Sequence, residues 1–175
     1  IMKDKQTLTG ITTRALEGLH EVFGKVQPDL VLVHGDTTTT FAASLAAFYR
    51  SIAVGHVEAG LRTHNKYSPY PEEMNRQLTG VLADYHFSPT EQAKQNLLEE
   101  NKLDSSIYVT GNTAIDALAT TVKEGYHHPV LENLGEDRLI LLTAHRRENI
   151  GEPMRHIFRS INRLIDKHPD IQVVY

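Results

Sequence analysis

Several carboxylates that can transfer protons follow short apolar stretches of this sequence. Asp36 comes just after the apolar run at residues 30–34. Glu58 directly follows the run at residues 52–57, and Glu72 opens a predicted helix behind Pro71. In a parallel α/β sheet, ligands bind beyond the carboxyl ends of the strands, so polar residues there are informative. We therefore interpret Asp36, Glu58 and Glu72 as candidates for general acid and base chemistry.

A basic group follows a later apolar run. His145, Arg146 and Arg147 come after residues 139–142, across a predicted domain boundary. Carboxylates from one domain and a cationic group from the next are what proton transfer beside a nucleotide phosphate requires. We therefore expect the two sets to face each other across a cleft. Taken alone, His145 is more often an ordinary loop histidine, and Arg146 and Arg147 an ordinary exposed pair.

Asp36 and Glu72 also have purely structural interpretations. Asp36 can cap the helix that follows it. Glu72 and Glu73 suit a first helical turn, where the helix dipole favours anions, and Glu72 can pair with Arg76 one turn later. Glu58 is harder to explain in this way, because a carboxylate directly after an apolar strand is costly to bury without a partner.

Strand-like and helix-like segments alternate along the chain, which is typical of βαβ units and a parallel sheet. Apolar residues at helical spacing predict a helix over residues 8–26, and Pro28 ends it. A second predicted helix follows the turn at residues 35–38 and runs to about residue 50, and a third ends at residue 83. Further helices are predicted over residues 90–101, 113–124 and 152–168. The predicted strands are residues 30–34, 52–57, 85–87, 107–109, 139–142 and 171–175.

The alternation is interrupted once. Residues 125–137 contain histidines, a proline and a glycine and are typical of a linker. We therefore predict the later part of one Rossmann-like domain over residues 1–124, a linker over 125–137, and the start of a second domain over 138–175. Because the chain begins with Ile1 and stops in a strand-like run, we expect both ends to be cut inside a fold.

Composition excludes several classes of partner. The 18 Lys and Arg against 22 Asp and Glu include no cationic block, so we expect no nucleic acid partner. The absence of Cys excludes a disulfide framework and a thiolate metal site. The longest apolar stretch, residues 41–49, is far short of the ~20 residues of a membrane span, so we expect a soluble protein.

The candidate residues belong to longer motifs that occur in a fixed order. They are His34-Gly35-Asp36-Thr37-Thr38-Thr39-Thr40, Gly55-His56-Val57-Glu58-Ala59-Gly60-Leu61-Arg62-Thr63, Pro71-Glu72-Glu73-Met74-Asn75-Arg76, and residues 85–90, 110–118 and 143–149. In this order they resemble the motifs of the bacterial non-hydrolysing UDP-N-acetylglucosamine 2-epimerases. The resemblance covers essentially all 175 residues.

The resemblance implies a fold and an activity. The family has two Rossmann-like domains in the glycosyltransferase-B arrangement and forms homodimers in the cytoplasm. Its enzymes interconvert UDP-N-acetylglucosamine and UDP-N-acetylmannosamine by elimination and re-addition of UDP, with no nicotinamide or metal, and feed cell-wall and capsule polymers. By motif, Asp36, Glu58 and Glu72 match the catalytic carboxylates, His145 matches the catalytic histidine, and Arg146 matches a phosphate-contacting position.

Arg76 shares a motif with Glu72, and we expect it to bind substrate. The family's N-terminal Gly-Thr-Arg-Pro-Glu segment and its later Asp-Ser-Gly-Gly stretch do not occur in this sequence. We therefore expect this chain alone not to turn over substrate.

Other functions remain open. A related epimerase can act on a UDP-diacetamido sugar, and a hydrolysing epimerase releases UDP and free N-acetylmannosamine. A non-catalytic nucleotide-binding domain is a further alternative. A metal-dependent phosphohydrolase is a weaker one, resting on possible ligands scattered after strands: His34, Asp36, His56, Asn112 and His145.

Overall fold

The computed structural model describes residues 6–132, 134–135, 137–145 and 149–175. The chain forms two compact units, Ile1–Ala119 and Thr120–Tyr175. The finer division predicted from sequence, with a linker over residues 125–137, stays a prediction.

The first unit is built on a parallel sheet, as the sequence predicted. Four strands lie in the order β1-β2-β3-β4, and each pairs in parallel with the next. The register places His34 beside Val57, so β1 and β2 end side by side. Their carboxyl ends therefore form one continuous edge. The strands are β1 Leu30–His34, β2 Ala53–Val57, β3 Tyr85–Ser88 and β4 Ile107–Val109.

Helices connect these strands, as expected for βαβ units. The predicted bounds of the first helix are confirmed, whereas the last helix of this group ends at Thr121, three residues before its predicted end at residue 124. A 3₁₀ turn at Asp104–Ser106, which was not predicted, precedes β4. The helices are α1 Leu8–Val26, α2 Thr38–Phe48, α3 Glu72–Leu82, α4 Glu91–Glu99 and α5 Thr113–Thr121.

The larger of two buried clusters in the described part of the first unit lies under α2. The buried face of this helix carries small side chains, among them Ala43, Ala46 and Ala47. They pack with Phe23 of α1 and with valines of the sheet in one buried cluster. Small residues let this helix pack closely against the sheet and α1.

The second unit has its own parallel pair of strands. Strand β5, Arg138–Leu141, pairs with β6, Ile171–Val174, and helix α7, Glu152–Lys167, connects them. A short helix α6, Pro129–Glu132, lies within the stretch predicted as a linker. In the described part of the chain, no helix is both long and apolar enough to cross a membrane.

Candidate active site

Asp36 and Glu58 lie at the same edge of the first sheet. The N–H of Gly35 donates to the carbonyl of Val57 at 3.0 Å, so the turn after β1 lies on the end of β2. A Cβ added to Gly35 would stand 3.4 Å from Oε2 of Glu58, so the Glu58 carboxylate lies over this turn. His34 Nε2 is 3.6 Å from the same oxygen. Asp36 and Glu58 therefore both lie at the carboxyl ends of the paired strands β1 and β2, and their roles as acid or base groups stay predictions.

The backbone of Glu58 has an unusual conformation. Its φ of 67° lies in the left-handed region, which a non-glycine residue adopts at a cost of order 1 kcal/mol or more. The conformation turns the chain at the end of β2 directly after Val57. Such costs are concentrated at functional sites, where the direction of a side chain matters more than local stability.

Helix α3 brings Glu72 to this edge. Asn75 Nδ2 donates to the backbone carbonyl of Asp36 at 2.9 Å, and Arg76 Nη2 contacts Oδ2 of Asp36. Glu72 is the first residue of the helix, one turn before these contacts. Its half-buried carboxylate makes no hydrogen bond or ion pair with the residues that the structure describes. The N-terminal turn of α3 therefore stands beside Asp36.

Arg76 connects two carboxylates. Its guanidinium, 11% exposed, donates through Nη2 to Asp36 and through Nη1 to Oε2 of Glu73 at 3.1 Å. The surface pair with Glu72 that the helical spacing suggested is wrong, because both terminal nitrogens of Arg76 face other residues. The expectation that Arg76 binds substrate stays a prediction.

Glu73 is fully buried and was missed as a site residue. Oε2 accepts from the Thr63 N–H at 3.1 Å and from Arg76, while Oε1 accepts from the His64 N–H at 3.2 Å and from Gln77 Nε2 at 2.9 Å. Burial raises the pKa of Glu73, but these hydrogen bonds and the nearby Arg76 charge outweigh it and hold the pKa below its usual value. Arg76 and Gln77 stand three and four residues later, a spacing that could have pointed to Glu73.

Asp36 does not cap the helix that follows it. The N-cap of α2 is Thr37, whose Oγ1 accepts from the N–H of Thr40 at 3.1 Å. Thr40 Oγ1 in turn donates to the carbonyl of His34 at 2.7 Å. The capping interpretation of Asp36 is therefore wrong. Thr37 caps the start of α2, and the Asp36 carboxylate pairs with Arg76 instead.

Two buried histidines lie in the strands behind this sheet edge, and one of them supports its turn. His56 and His86 are neighbours in the register of β2 and β3. His56 Nε2 donates to the carbonyl of Gly35 at 2.8 Å, which holds the turn that carries Asp36. Burial lowers the pKa of each histidine to about 4, so both are neutral at physiological pH.

The predicted cationic residues belong to the second unit. His145 follows β5 and is exposed, and Tyr175 Oη donates to the carbonyl of the preceding Ala144 at 2.9 Å. Arg146 lies outside the described residues. The roles of both stay predictions.

Possible metal ligands do not gather in the described part of the chain. Within residues 6–132, 134–135, 137–145 and 149–175, no group of three or more His, Asp or Glu side chains could hold a metal ion. The scattered residues behind the phosphohydrolase alternative therefore form no such group there.

Comparison with known proteins agrees with the motifs. The whole chain, residues 1–175, matches the protein family described as UDP-N-acetylglucosamine 2-epimerase. It is 68% identical over 175 residues to UDP-N-acetylglucosamine 2-epimerase of Bacillus subtilis strain 168, covering 100% of this chain and 46% of that protein. The chain thus spans about half the length of such relatives.

Solved structures give the same result. The structure of S. aureus MnaA with UDP superposes with a TM-score of 0.94 at 54% identity, covering 98% of this chain and 47% of that one. UDP-GlcNAc 2-epimerase from Neisseria meningitidis, solved with bound UDP-GlcNAc, superposes with a TM-score of 0.90 at 50% identity, covering 99% and 49%.

Proposed function

This chain belongs to the UDP-N-acetylglucosamine 2-epimerase family, and we propose that its full-length protein interconverts UDP-N-acetylglucosamine and UDP-N-acetylmannosamine. The observation that carries the proposal is the meeting of Asp36, Glu58 and the N-terminal turn of α3 at one sheet edge. Inversion at a carbon needs a group that removes a proton on one face and a group that returns one on the other. This edge supplies carboxylates for both tasks.

The chemistry of the sugar favours elimination. Carbon 2 has no adjacent carbonyl, so its hydrogen is not acidic and simple deprotonation is slow. We propose that a carboxylate removes this proton while the bond from carbon 1 to the phosphate oxygen breaks, giving a glycal and UDP. UDP then adds back to carbon 1, and a second carboxylic acid delivers a proton to the opposite face of carbon 2. Asp36, Glu58 and Glu72 are our candidates for these steps.

The departing diphosphate needs cationic partners. Negative charge grows on UDP as the bond to carbon 1 breaks, and preorganised donors that meet this charge lower the barrier. We assign this task to His145, which matches the family's catalytic histidine by motif, and to Arg146, which matches a phosphate-contacting position. The assignment predicts that His145→Asn slows bond cleavage itself.

Isotope exchange tests the proposal. The full-length protein, in deuterated water without added nicotinamide or metal, should place deuterium at carbon 2 of UDP-N-acetylmannosamine. Label in the oxygen bridging carbon 1 and phosphorus should scramble into non-bridging positions of the UDP, and His145→Asn should suppress both exchanges together. Turnover with neither exchange would rule out elimination. Free N-acetylmannosamine as the product would indicate a hydrolysing epimerase, and turnover only of a UDP-diacetamido sugar would indicate the related enzyme.

We also propose that the full-length protein is a cytoplasmic homodimer whose product supplies cell-wall polymers. Apolar side chains near the amino-terminal edge of the first sheet support the dimer. Phe48 and Val81, 58% and 71% exposed, line a groove of about 540 Å³. Sedimentation of the full-length protein tests this, since Val81→Asp should dissociate the dimer without unfolding the subunit. An unchanged dimer would place the interface elsewhere.

A further inference from the structure

We propose that Glu73 is a positioning residue of this active site, which holds the Asp36 carboxylate in place through Arg76. The inference rests on the function proposed above and deepens it. Glu73 has no access to solvent, so it cannot touch substrate itself. Its effect must reach the sugar through other side chains.

Four hydrogen bonds fix the orientation of the Glu73 carboxylate. Each of its oxygens accepts two hydrogen bonds, from the Thr63 N–H and Arg76 at Oε2 and from the His64 N–H and Gln77 at Oε1. Two of these donors are backbone groups, whose positions a side-chain rotation cannot change. The carboxylate is therefore a fixed reference point inside the domain.

Arg76 links the fixed Glu73 carboxylate to Asp36. The guanidinium is planar and rigid, so fixing Nη1 on Glu73 also fixes the direction in which Nη2 points. Nη2 holds Oδ2 of Asp36, and the neighbouring Asn75 holds the backbone carbonyl of the same residue. Asp36 is thus held at both its backbone and its side chain by α3.

Glu73 also joins all the segments that carry the proposed catalytic carboxylates. Thr63 and His64 belong to the segment that follows Glu58 after β2. Glu73 itself is adjacent to Glu72 in α3, and Arg76 reaches the Asp36 turn after β1. One buried carboxylate therefore cross-links the β1 turn, the segment after β2 and the start of α3.

A double-mutant cycle in the full-length enzyme tests the proposal. Glu73→Gln keeps the size of the side chain but replaces an acceptor oxygen with an NH₂ group that opposes existing donors. We expect kcat to fall about 10- to 100-fold with KM little changed, because misplacing a catalytic group by about 1 Å costs roughly that much. If Glu73 acts through Asp36, adding Glu73→Gln to Asp36→Asn should lower kcat no further.

Asp84→Asn provides a matched control. Asp84 Oδ2 accepts from the N–H of Val54 at 2.8 Å, at the opposite end of β2 from Glu58. The substitution should lower the unfolding temperature and leave kcat unchanged. Glu73→Asp retains the charge on a shorter side chain and should recover part of the lost kcat. If Glu73→Gln does not fold, Glu73→Asp takes its place in the cycle.

The outcomes separate the two proposals. A kcat loss from Glu73→Gln that multiplies fully with the loss from Asp36→Asn would overturn the positioning role. A loss no larger than that of Asp84→Asn would overturn it as well. A wild-type protein that forms no UDP-N-acetylmannosamine would overturn the proposed function, and the role of Glu73 with it.

Discussion

Replacing Arg76 by methionine would remove a buried positive charge while keeping most of the side-chain volume. The substitution leaves the fully buried Glu73 carboxylate with three of its present donors: the N–H groups of Thr63 and His64 and the amide of Gln77. Asp36, with 31% of its side chain exposed, can turn to water instead. The loss of stability therefore comes mainly from the buried charge of Glu73, which has lost its cationic partner.

The magnitude follows from these contacts. Removing one partner of a buried ion pair costs about 3–5 kcal/mol, and an exposed pair contributes roughly 0.2–1 kcal/mol. Because three hydrogen bonds still satisfy Glu73, we expect the free energy of unfolding to fall by about 3 kcal/mol at pH 7, the lower limit for a buried pair. That loss corresponds to a roughly 160-fold larger equilibrium constant for the opening of α3.

The loss should depend on pH. The wild-type pKa of Glu73 is below its usual 4.5, so its contribution to stability is present above that pH and is lost as the pH falls through the folded-state pKa. Without Arg76, burial is less well offset and the pKa of Glu73 should rise. The variant then becomes less destabilised as Glu73 takes up a proton, so the difference in stability between the two proteins should shrink towards acidic pH.

Hydrogen exchange of peptides that span α3 measures this opening in the full-length protein, once intrinsic exchange rates are corrected for pH. Arg155→Met is the matched control, because Arg155 pairs with Glu152 at 2.9 Å on an exposed face of α7. It should change exchange very little. Unchanged protection of α3 in Arg76→Met at pH 7, or a loss of protection that does not diminish on acidification, would refute the account of Glu73.

Three substitutions alter the proposed catalytic carboxylates: Asp36→Asn, Glu58→Gln and Glu72→Gln. Each should cut turnover about 100-fold or more with little change in folding, and normal turnover with lower thermal stability would make that carboxylate structural. Gly60→Ala should destabilise by about 2–6 kcal/mol in denaturant unfolding, since φ is 88° and the new Cβ would meet the Ala93 carbonyl oxygen at 2.1 Å. Gly111→Ala, with a φ of 83° and no atom within 4 Å of the new Cβ, should cost only the backbone strain. Because the folded-state pKa of His86 is about 4, the unfolded chain binds more protons than the folded protein between about pH 6.5 and pH 4. The free energy of unfolding should therefore decrease as the pH is lowered through that range. His86→Leu should flatten this fall in thermal unfolding at pH 7 and pH 5, and an unchanged slope would contradict it.

The parallel fold was predictable because its evidence is local. The apolar run Leu30–His34 predicted a strand covered on both faces, and the structure has a strand with those bounds. The predicted burial is wrong for this strand, because Leu30 and Leu32 are 43% and 60% exposed. The periodicity over Leu8–Val26 likewise predicted the bounds of α1. The 3₁₀ turn at Asp104–Ser106 was not predictable in this way, because three residues are too few to show a period.

The contacts of the site were harder to predict, because the decisive ones are distant in sequence. Helical spacing pointed Arg76 at Glu72, whereas its partner Asp36 is 40 residues earlier. Capping was the structural alternative for Asp36, but the adjacent Thr37 caps the start of α2. Sequence patterns identify which residue types can pair locally, and only the packing of α3 on the sheet edge decides which pairs form.

Glu72 and Glu73 show why adjacent, identical residues can have different roles. A carboxylate whose oxygens both accept two hydrogen bonds must give up some of them to take a proton, so Glu73 is suited to remain charged and fixed. Glu72 has no such partners among the described residues and is partly open to solvent, so a ligand can reach it. Acid and base catalysis requires a group that can exchange its proton with the substrate, whereas positioning requires one that cannot. Glu72→Gln should therefore reduce proton exchange at carbon 2 while leaving the protection of α3 intact, and a loss of that protection would contradict the division of roles.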